Sequence, residues 1–267
     1  MMSEQPEVLF AEVRKQRIVE MVNGNGRVTV AELCREFNVS SATIRNDLRE
    51  LEEAGALKRT HGGAINKRRV SYELNTYEKE VQNVEKKRAI AYAAVGHVHP
   101  GDSIAIDTGT TTFEFAKLLD EIQNLTVVTN DLQIAAYLER NTNAYIIMAG
   151  GAVRRHFHCT AGEAAIDTVK NLHVDKVFIA ANGVHIKKGL TTPNMDMASF
   201  KTQLIECADE VFALTDSSKF NTSAFISFAP LSSVDVLITD DEADPMFLKE
   251  VKAAGVDVIC AETKDQQ

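Results

Sequence analysis

Residues 27–65, RVTVAELCREFNVSSATIRNDLRELEEAGALKRTHGGAI, read as two short helices around a tight turn, followed by a glycine-tipped basic hairpin. The first helix is predicted to start at Thr29, whose hydroxyl caps the backbone while Glu32, three residues on, reaches back; it continues through Leu33 to Phe37. Asn38-Val39-Ser40 breaks it, and Ser40 is placed to cap a second helix. There Ile44, Leu48 and Leu51 fall at i, i+4 and i+7 and turn toward a small core. The opposite face presents Ser41, Thr43, Arg45, Asn46 and Arg49, side chains suited to phosphates and to the base edges of a major groove. Gly55 is expected to end the helix, and residues 57–64 to form a wing carrying Lys58, Arg59, His61 and Gly62. Ordinary helical domains share this spacing and turn a polar face to water. Basic and amide side chains where a solvated face mixes Lys with Glu, together with the basic wing, favour operator DNA as the partner.

The formal net charge of the 267-residue chain, −9, argues against a DNA binder until the chain is divided. Residues 1–70 carry 12 Lys+Arg against 10 Asp+Glu, whereas residues 71–267 carry 17 against 28. An acidic bulk repels DNA except through its basic end, which imposes one docking orientation. Cys34, Cys159, Cys207 and Cys260 are scattered and form no CxxC pair, so neither a disulfide framework nor a zinc knuckle is expected and a reducing, cytoplasmic compartment is. Cys34, Cys207 and Cys260 sit at apolar positions and read as core residues. No apolar run approaches the roughly 20 residues that span a bilayer, and the N-terminus lacks the apolar centre of a signal sequence, so no membrane partner is expected.

Periodicity lapses over residues 67–80, which open with Lys67-Arg68-Arg69 and read as a linker between a DNA-binding domain (1–66) and an effector domain (81–262). A helix is predicted from about Val81, with Ile90, Ala94 and Val98 on one face, until Pro100-Gly101-Asp102 stops it. Beyond it, β-branched runs near residues 103–107, 125–129, 144–148, 176–180, 211–215 and 234–239 alternate with helical stretches. They are too apolar for one-sided antiparallel strands, so the fold class is α/β with a largely parallel sheet covered on both faces. Ligands of such sheets bind beyond the carboxyl ends of the strands. There the sequence offers Asp107-Thr108-Gly109-Thr110-Thr111-Thr112 before a helix beginning near Phe113, then Thr129-Asn130, Gly150-Gly151, Asn182-Gly183 and Asp216-Ser217-Ser218-Lys219. Gly109 permits a tight turn, and free amides with clustered hydroxyls at a helix N-terminus suit a phosphate; the alternative is that the threonines only cap the helix. Lys219 is placed to offer a point charge to a phosphate or a sugar oxygen.

Over essentially its whole length the chain resembles the DeoR family of bacterial transcriptional regulators. The resemblance rests on Thr43-Ile44-Arg45-Asn46-Asp47-Leu48 and His61-Gly62-Gly63-Ala64, and on Asp107-Thr108-Gly109-Thr110-Thr111, Thr129-Asn130, Gly150-Gly151 and Asp216-Ser217-Ser218-Lys219-Phe220. It implies a winged helix-turn-helix joined to an α/β effector domain similar to ribose-phosphate isomerases, repression of a sugar-catabolism operon, a phosphorylated sugar as effector with no cofactor, and a homo-dimer or homo-tetramer. It departs from the family at Asn46, where a second arginine is common; an asparagine there suits an adenine edge or a phosphate.

An isomerase-like fold raises a second reading, an enzyme acting on a sugar phosphate. Its acid–base candidates by residue type are Asp107, Glu163 and Lys219, and no obligate catalytic set is evident. In an extended strand His156 and His158 of Arg154-Arg155-His156-Phe157-His158-Cys159 would point the same way, as a metal requires, but a third ligand is lacking; Arg154 or Arg155 suits a phosphate instead.

Overall fold

The computed structural model describes residues 11–25, 27–54, 56–65 and 73–263. They divide into two compact units at Tyr72/Glu73. Among the described residues no helix is long and apolar enough to cross a membrane.

The first unit comprises α1 (Ala11–Asn25), β1 (Arg27–Thr29), α2 (Val30–Phe37), α3 (Ser41–Glu53), β2 (Lys58–Thr60) and β3 (Gly63–Ile65). The predicted capping box closes α2: the Glu32 amide donates to Thr29 Oγ1 at 3.1 Å, and the Thr29 amide donates to Glu32 Oε2 at 2.7 Å. Asn38 takes the left-handed conformation (φ 50°) that stops α2, and Ser40 Oγ accepts the Thr43 amide at 3.1 Å to start α3. Ile44, Leu48 and Leu51 pack with Leu33, Phe37, Ile18 and Val22. Gly55 lies outside the described residues; α3 closes with the Ala54 amide donating to the Glu50 carbonyl at 2.9 Å. In the sheet β3 lies between β1 and β2, antiparallel to both. Gly63 is required by that crossing, because a Cβ there would lie 1.9 Å from the Val28 carbonyl oxygen.

The second unit starts earlier than the sequence suggests. Of the stretch read as a linker, residues 66–72 lie outside the described residues, but Thr76–Glu80 is a helix, α4, fixed by a capping box between Asn75 and Glu78. The remaining elements are α5 (Val84–Val95), β4 (Ser103–Ile106), α6 (Thr110–Ala116), β5 (Thr126–Thr129), α7 (Leu132–Asn141), β6 (Tyr145–Met148), β7 (Ala152–Arg154), β8 (Cys159–Ala161), α8 (Glu163–Val169), β9 (Val174–Ile179), β10 (Gly183–His185), β11 (Gly189–Thr192), α9 (Met195–Glu206), β12 (Ala208–Leu214), β13 (Ile226–Ala229), β14 (Val236–Asp240), α10 (Pro245–Ala253) and β15 (Asp257–Ala261).

All six expected strand runs enter one parallel sheet of seven strands, ordered β15-β14-β12-β9-β4-β5-β6. The chain fills the sheet from β4 out to β6, returns to lay β9 against the other side of β4, and continues outward to β15. The strand order therefore reverses between β4 and β9. Alternation along β9 sends Phe178 to one face, packed between Phe115 (ring centres 4.2 Å apart, tilted) and Phe212 (5.0 Å, stacked), and Val177 and Ile179 to the other, with Phe200 and Leu204 of α9.

Three sequence expectations need correction, and two small antiparallel sheets were not anticipated. Helix α6 begins at Thr110, not near Phe113, because Gly109 occupies its N-cap and the threonines form its first turn. His156 and His158 are not in a strand: both have positive φ (70° and 55°) in the tight turn joining β7 to β8. Cys260 is exposed, since it lies on the edge strand β15. The hairpin β7–β8 and the antiparallel sheet β10-β11-β13 lack the long apolar runs by which the central strands are recognised.

Candidate functional site

On the first unit, Ser41, Arg45, Asn46 and Arg49 of α3 and Lys58, Arg59, His61 and Gly62 of the wing are exposed, as expected. They are not equally available. Arg45 has no hydrogen-bond or ion-pair partner among the described residues, so its guanidinium is open to a ligand. Thr43 is half-buried, with amide and hydroxyl turned to Ser40 Oγ at 3.1 and 2.9 Å, which makes it part of the helix cap. Asn46 bridges its neighbours: its Nδ2 donates to Glu50 Oε1 at 2.7 Å, and its Oδ1 accepts from Arg49 Nη2. Arg59 ties the wing to α3, its Nε 2.8 Å from Glu52 Oε2. An exposed pair of this kind is worth at most about 1 kcal/mol, so a phosphate can replace Glu52 as the partner of Arg59. Below this surface the Asp47 carboxylate receives Arg14 of α1 through Nε (2.6 Å) and Nη2 (3.1 Å), a buried bidentate pair that the helix-turn-helix pattern alone does not signal.

On the second unit, a pocket opens where the strand order reverses, at the carboxyl ends of β4, β9 and β12. Of the expected effector residues, Thr108, Gly109, Thr110, Thr111, Asn182 and Lys219 line it. The others do not. Asp107 is fully buried behind the wall, where one oxygen accepts from Lys201 Nζ and from the Ala180 amide (3.0 Å) and the other has no hydrogen-bond partner among the described residues. Burial pushes its carboxyl up from the ordinary range against the pull of Lys201. Thr112 donates to the Gly109 carbonyl at 2.9 Å and holds the turn. Thr129 Oγ1 accepts the Asp131 amide at 3.1 Å, and buried Asn130 donates to the Thr160 carbonyl at 2.8 Å. Gly183 allows the close approach of the Thr222 carbonyl, and Gly150 and Gly151 lead into the β7–β8 hairpin. These seven residues build the frame that shapes the pocket.

Cations dominate the lining: Lys79, Lys87, Arg154, Lys201 and Lys219 face only two acids, Glu73 and Asp216. Lys79 and Lys87 fall in or beside the stretch read as linker, and Lys201 is a single cation in the otherwise apolar inner face of α9, the one signal that marks it. Of Arg154 and Arg155, Arg154 lines the pocket, its guanidinium 4.2 Å from the centre of the Phe157 ring. Lys87 is buried, donating to the carbonyls of Lys79 and Gln82. Burial first, then Lys219 and Lys79, outweigh the pull of Asp216 and lower its ammonium from the ordinary 10.5 to about 8. Glu163 is exposed at the start of α8 and does not line the pocket, so the three acid–base candidates of the enzyme reading do not converge. Among the described residues no group of three or more His, Cys, Asp or Glu is placed to hold a metal ion.

Comparison with known proteins gives a consistent picture. Residues 14–69 match the DeoR-like helix-turn-helix domain, and residues 82–241 the DeoR C terminal sensor domain. The HTH-type transcriptional regulator GlpR of Haloferax volcanii is 38% identical over 246 residues, covering 92% of this chain and 96% of that protein. The putative aga operon transcriptional repressor of Escherichia coli O157:H7 is 33% identical over 248 residues, 92% of each chain. Among solved structures, ribose 5-phosphate isomerase A of Methanocaldococcus jannaschii is 18% identical with a TM-score of 0.39, covering 52% of this chain and 55% of that one, a likeness too slight to carry an argument.

Proposed function

The chain belongs to the DeoR family of transcriptional regulators, and from that premise we propose that it represses a sugar-catabolism operon and that a phosphorylated sugar, bound in the pocket over Gly109, sets its affinity for operator DNA. The observation that carries this reading is the cationic lining of a pocket at the switch point of an otherwise acidic unit. Five lining cations outnumber the two lining acids and the buried Asp107 behind Lys201, which favours an oxyanion, and the amides at the start of α6 add donors of the same sense. Asn83, Asn182 and Thr192 supply polar groups of the kind that receive sugar hydroxyls. In the cytoplasm, a homo-dimer or homo-tetramer would present paired DNA-reading units to half-sites a helical turn or a multiple apart, so a small change in their spacing spoils simultaneous docking.

Of the three acid–base candidates Asp107, Glu163 and Lys219, only Lys219 lines the pocket, and we propose no catalytic role. Incubation of the purified chain with ribose 5-phosphate or hexose phosphates is expected to yield no isomerised product; measurable turnover would overturn this view. The open guanidinium of Arg45 makes it the strongest candidate for a direct contact. Arg45→Ala is expected to weaken operator binding by about 1–3 kcal/mol, roughly ten- to a hundredfold, with sugar-phosphate binding unchanged; unchanged gel-shift affinity would mean that α3 is oriented otherwise.

Lys87 supplies a pH dependence. In the empty pocket it loses its proton near pH 8, and a bound anion favours the charged form, so anion affinity is fullest below that pH and declines as pH rises through it. A phosphate monoester has its second pKa near 6, so its own titration is complete by then. Calorimetry at pH 7 and pH 9 is expected to show on the order of a tenfold loss at the higher pH. Equal affinities would exclude Lys87 from the binding set.

A further inference from the structure

We propose that Lys79, Arg154 and Asn182 form a second oxyanion subsite of this pocket, held by the protein's own Glu73 carboxylate, which an incoming oxyanion of the ligand displaces. Glu73 Oε1 accepts from Lys79 Nζ at 2.8 Å and from Asn182 Nδ2 at 3.4 Å, while Oε2 accepts from Arg154 Nη2 at 3.0 Å. All four residues line the pocket. Two cations and an amide converging on a pair of oxygens are the arrangement that binds a carboxylate or a phosphate from solution, and here the chain supplies the anion itself.

Contacts other than Glu73 also hold the two cations and the elements that carry them. The guanidinium of Arg154 and the ammonium of Lys79 both lie over the Phe157 ring, at 4.2 and 5.8 Å from its centre. The Thr76 amide donates to the His156 carbonyl at 3.0 Å, and Tyr77 meets the His158 ring edge-on at 5.1 Å, which ties α4 to the β7–β8 turn. At the other end of α4, Lys87 holds the Lys79 and Gln82 carbonyls. Glu73 competes as an anion at every physiological pH: burial alone would raise its carboxyl, but Lys79 and Arg154 hold it at about 2. Glu73 is also the first residue of the second unit.

This inference rests on the reading of the pocket as an oxyanion site, and the test separates the two. Inorganic phosphate is titrated by calorimetry into the full chain and into Glu73→Gln, which keeps the shape of the side chain and removes its charge. The variant is expected to bind at least tenfold more tightly, and Glu73→Gln/Arg154→Met to lose that gain. Equal or weaker binding by Glu73→Gln, the result for a carboxylate that merely braces the pocket, overturns the subsite alone. Uptake by neither protein overturns the pocket reading and the subsite together. A second measurement needs no variant: saturating phosphate is expected to speed hydrogen exchange in Thr76–Glu80 of the unaltered chain, and unchanged or slower exchange overturns displacement.

Discussion

Replacing Asp47 with alanine is expected to unfold the DNA-reading unit while the second unit stays folded. The Asp47 and Arg14 side chains are only 4% and 8% exposed, and their bidentate contact joins α3 to α1. Truncating one partner of such a pair strips a buried guanidinium of its carboxylate, a loss of about 3–5 kcal/mol. A unit this small has little stability to spare, because it buries a smaller share of its surface than a larger domain does. Denaturation followed by helix content is expected to show an early transition brought to or below room temperature and a late one unchanged, with operator binding gone. An early transition at its usual midpoint would contradict the role given to the pair. Arg14→Met/Asp47→Leu is expected to restore the fold, because an apolar pair of similar volume leaves no buried charge.

The complementary change is Gly109→Val, expected to leave operator binding intact and to abolish the response to a sugar phosphate, with affinity lowered at least a hundredfold. A Cβ at Gly109 would lie 3.1 Å from Thr112 Oγ1 and 3.2 Å from Ala180 Cβ, and the two further methyl groups of valine have to occupy the wall of the pocket. The neighbours are side-chain atoms at tight but tolerable range, so the unit is expected to keep its fold. Loss of the hydrogen bond from Thr112 to the Gly109 carbonyl would disturb the first turn of α6 further. Calorimetry with the sugar phosphate that binds the unaltered chain reads the effect; retained affinity would place the ligand elsewhere.

Local signals made the first unit legible. Thr29 with Glu32, and Ser40 before an i, i+4, i+7 apolar row, each state a helix start within four residues, and the structure has both. The central strands were equally plain, because strands buried on both faces read as continuous apolar runs. What stayed hidden depends on contacts distant in sequence. Lys201 meets Asp107, 94 positions away, and Glu73 meets Arg154, 81 positions away; no window of sequence contains either pair. The strand-end rule points to the edge of the sheet where the pocket lies but overstates its lining, since it cannot tell Thr108, which lines it, from Asp107, which is sealed in behind Lys201. The stretch 73–80 looked like a linker because α4 is short and polar and is fixed by capping and ion pairs, not by an apolar stripe.

Occupancy of this pocket is expected to change DNA binding by the other unit. A hundredfold change in operator affinity corresponds to about 2.7 kcal/mol of coupling, within the range that two linked sites supply. The most direct measurement is fluorescence anisotropy of the full chain on a duplex selected by it from random sequences, with and without each of a set of phosphorylated sugars. At least one sugar phosphate is expected to change operator affinity tenfold or more in the unaltered chain and to leave Gly109→Val unchanged. An operator affinity that no sugar phosphate shifts, or a shift that survives in Gly109→Val, would contradict the account.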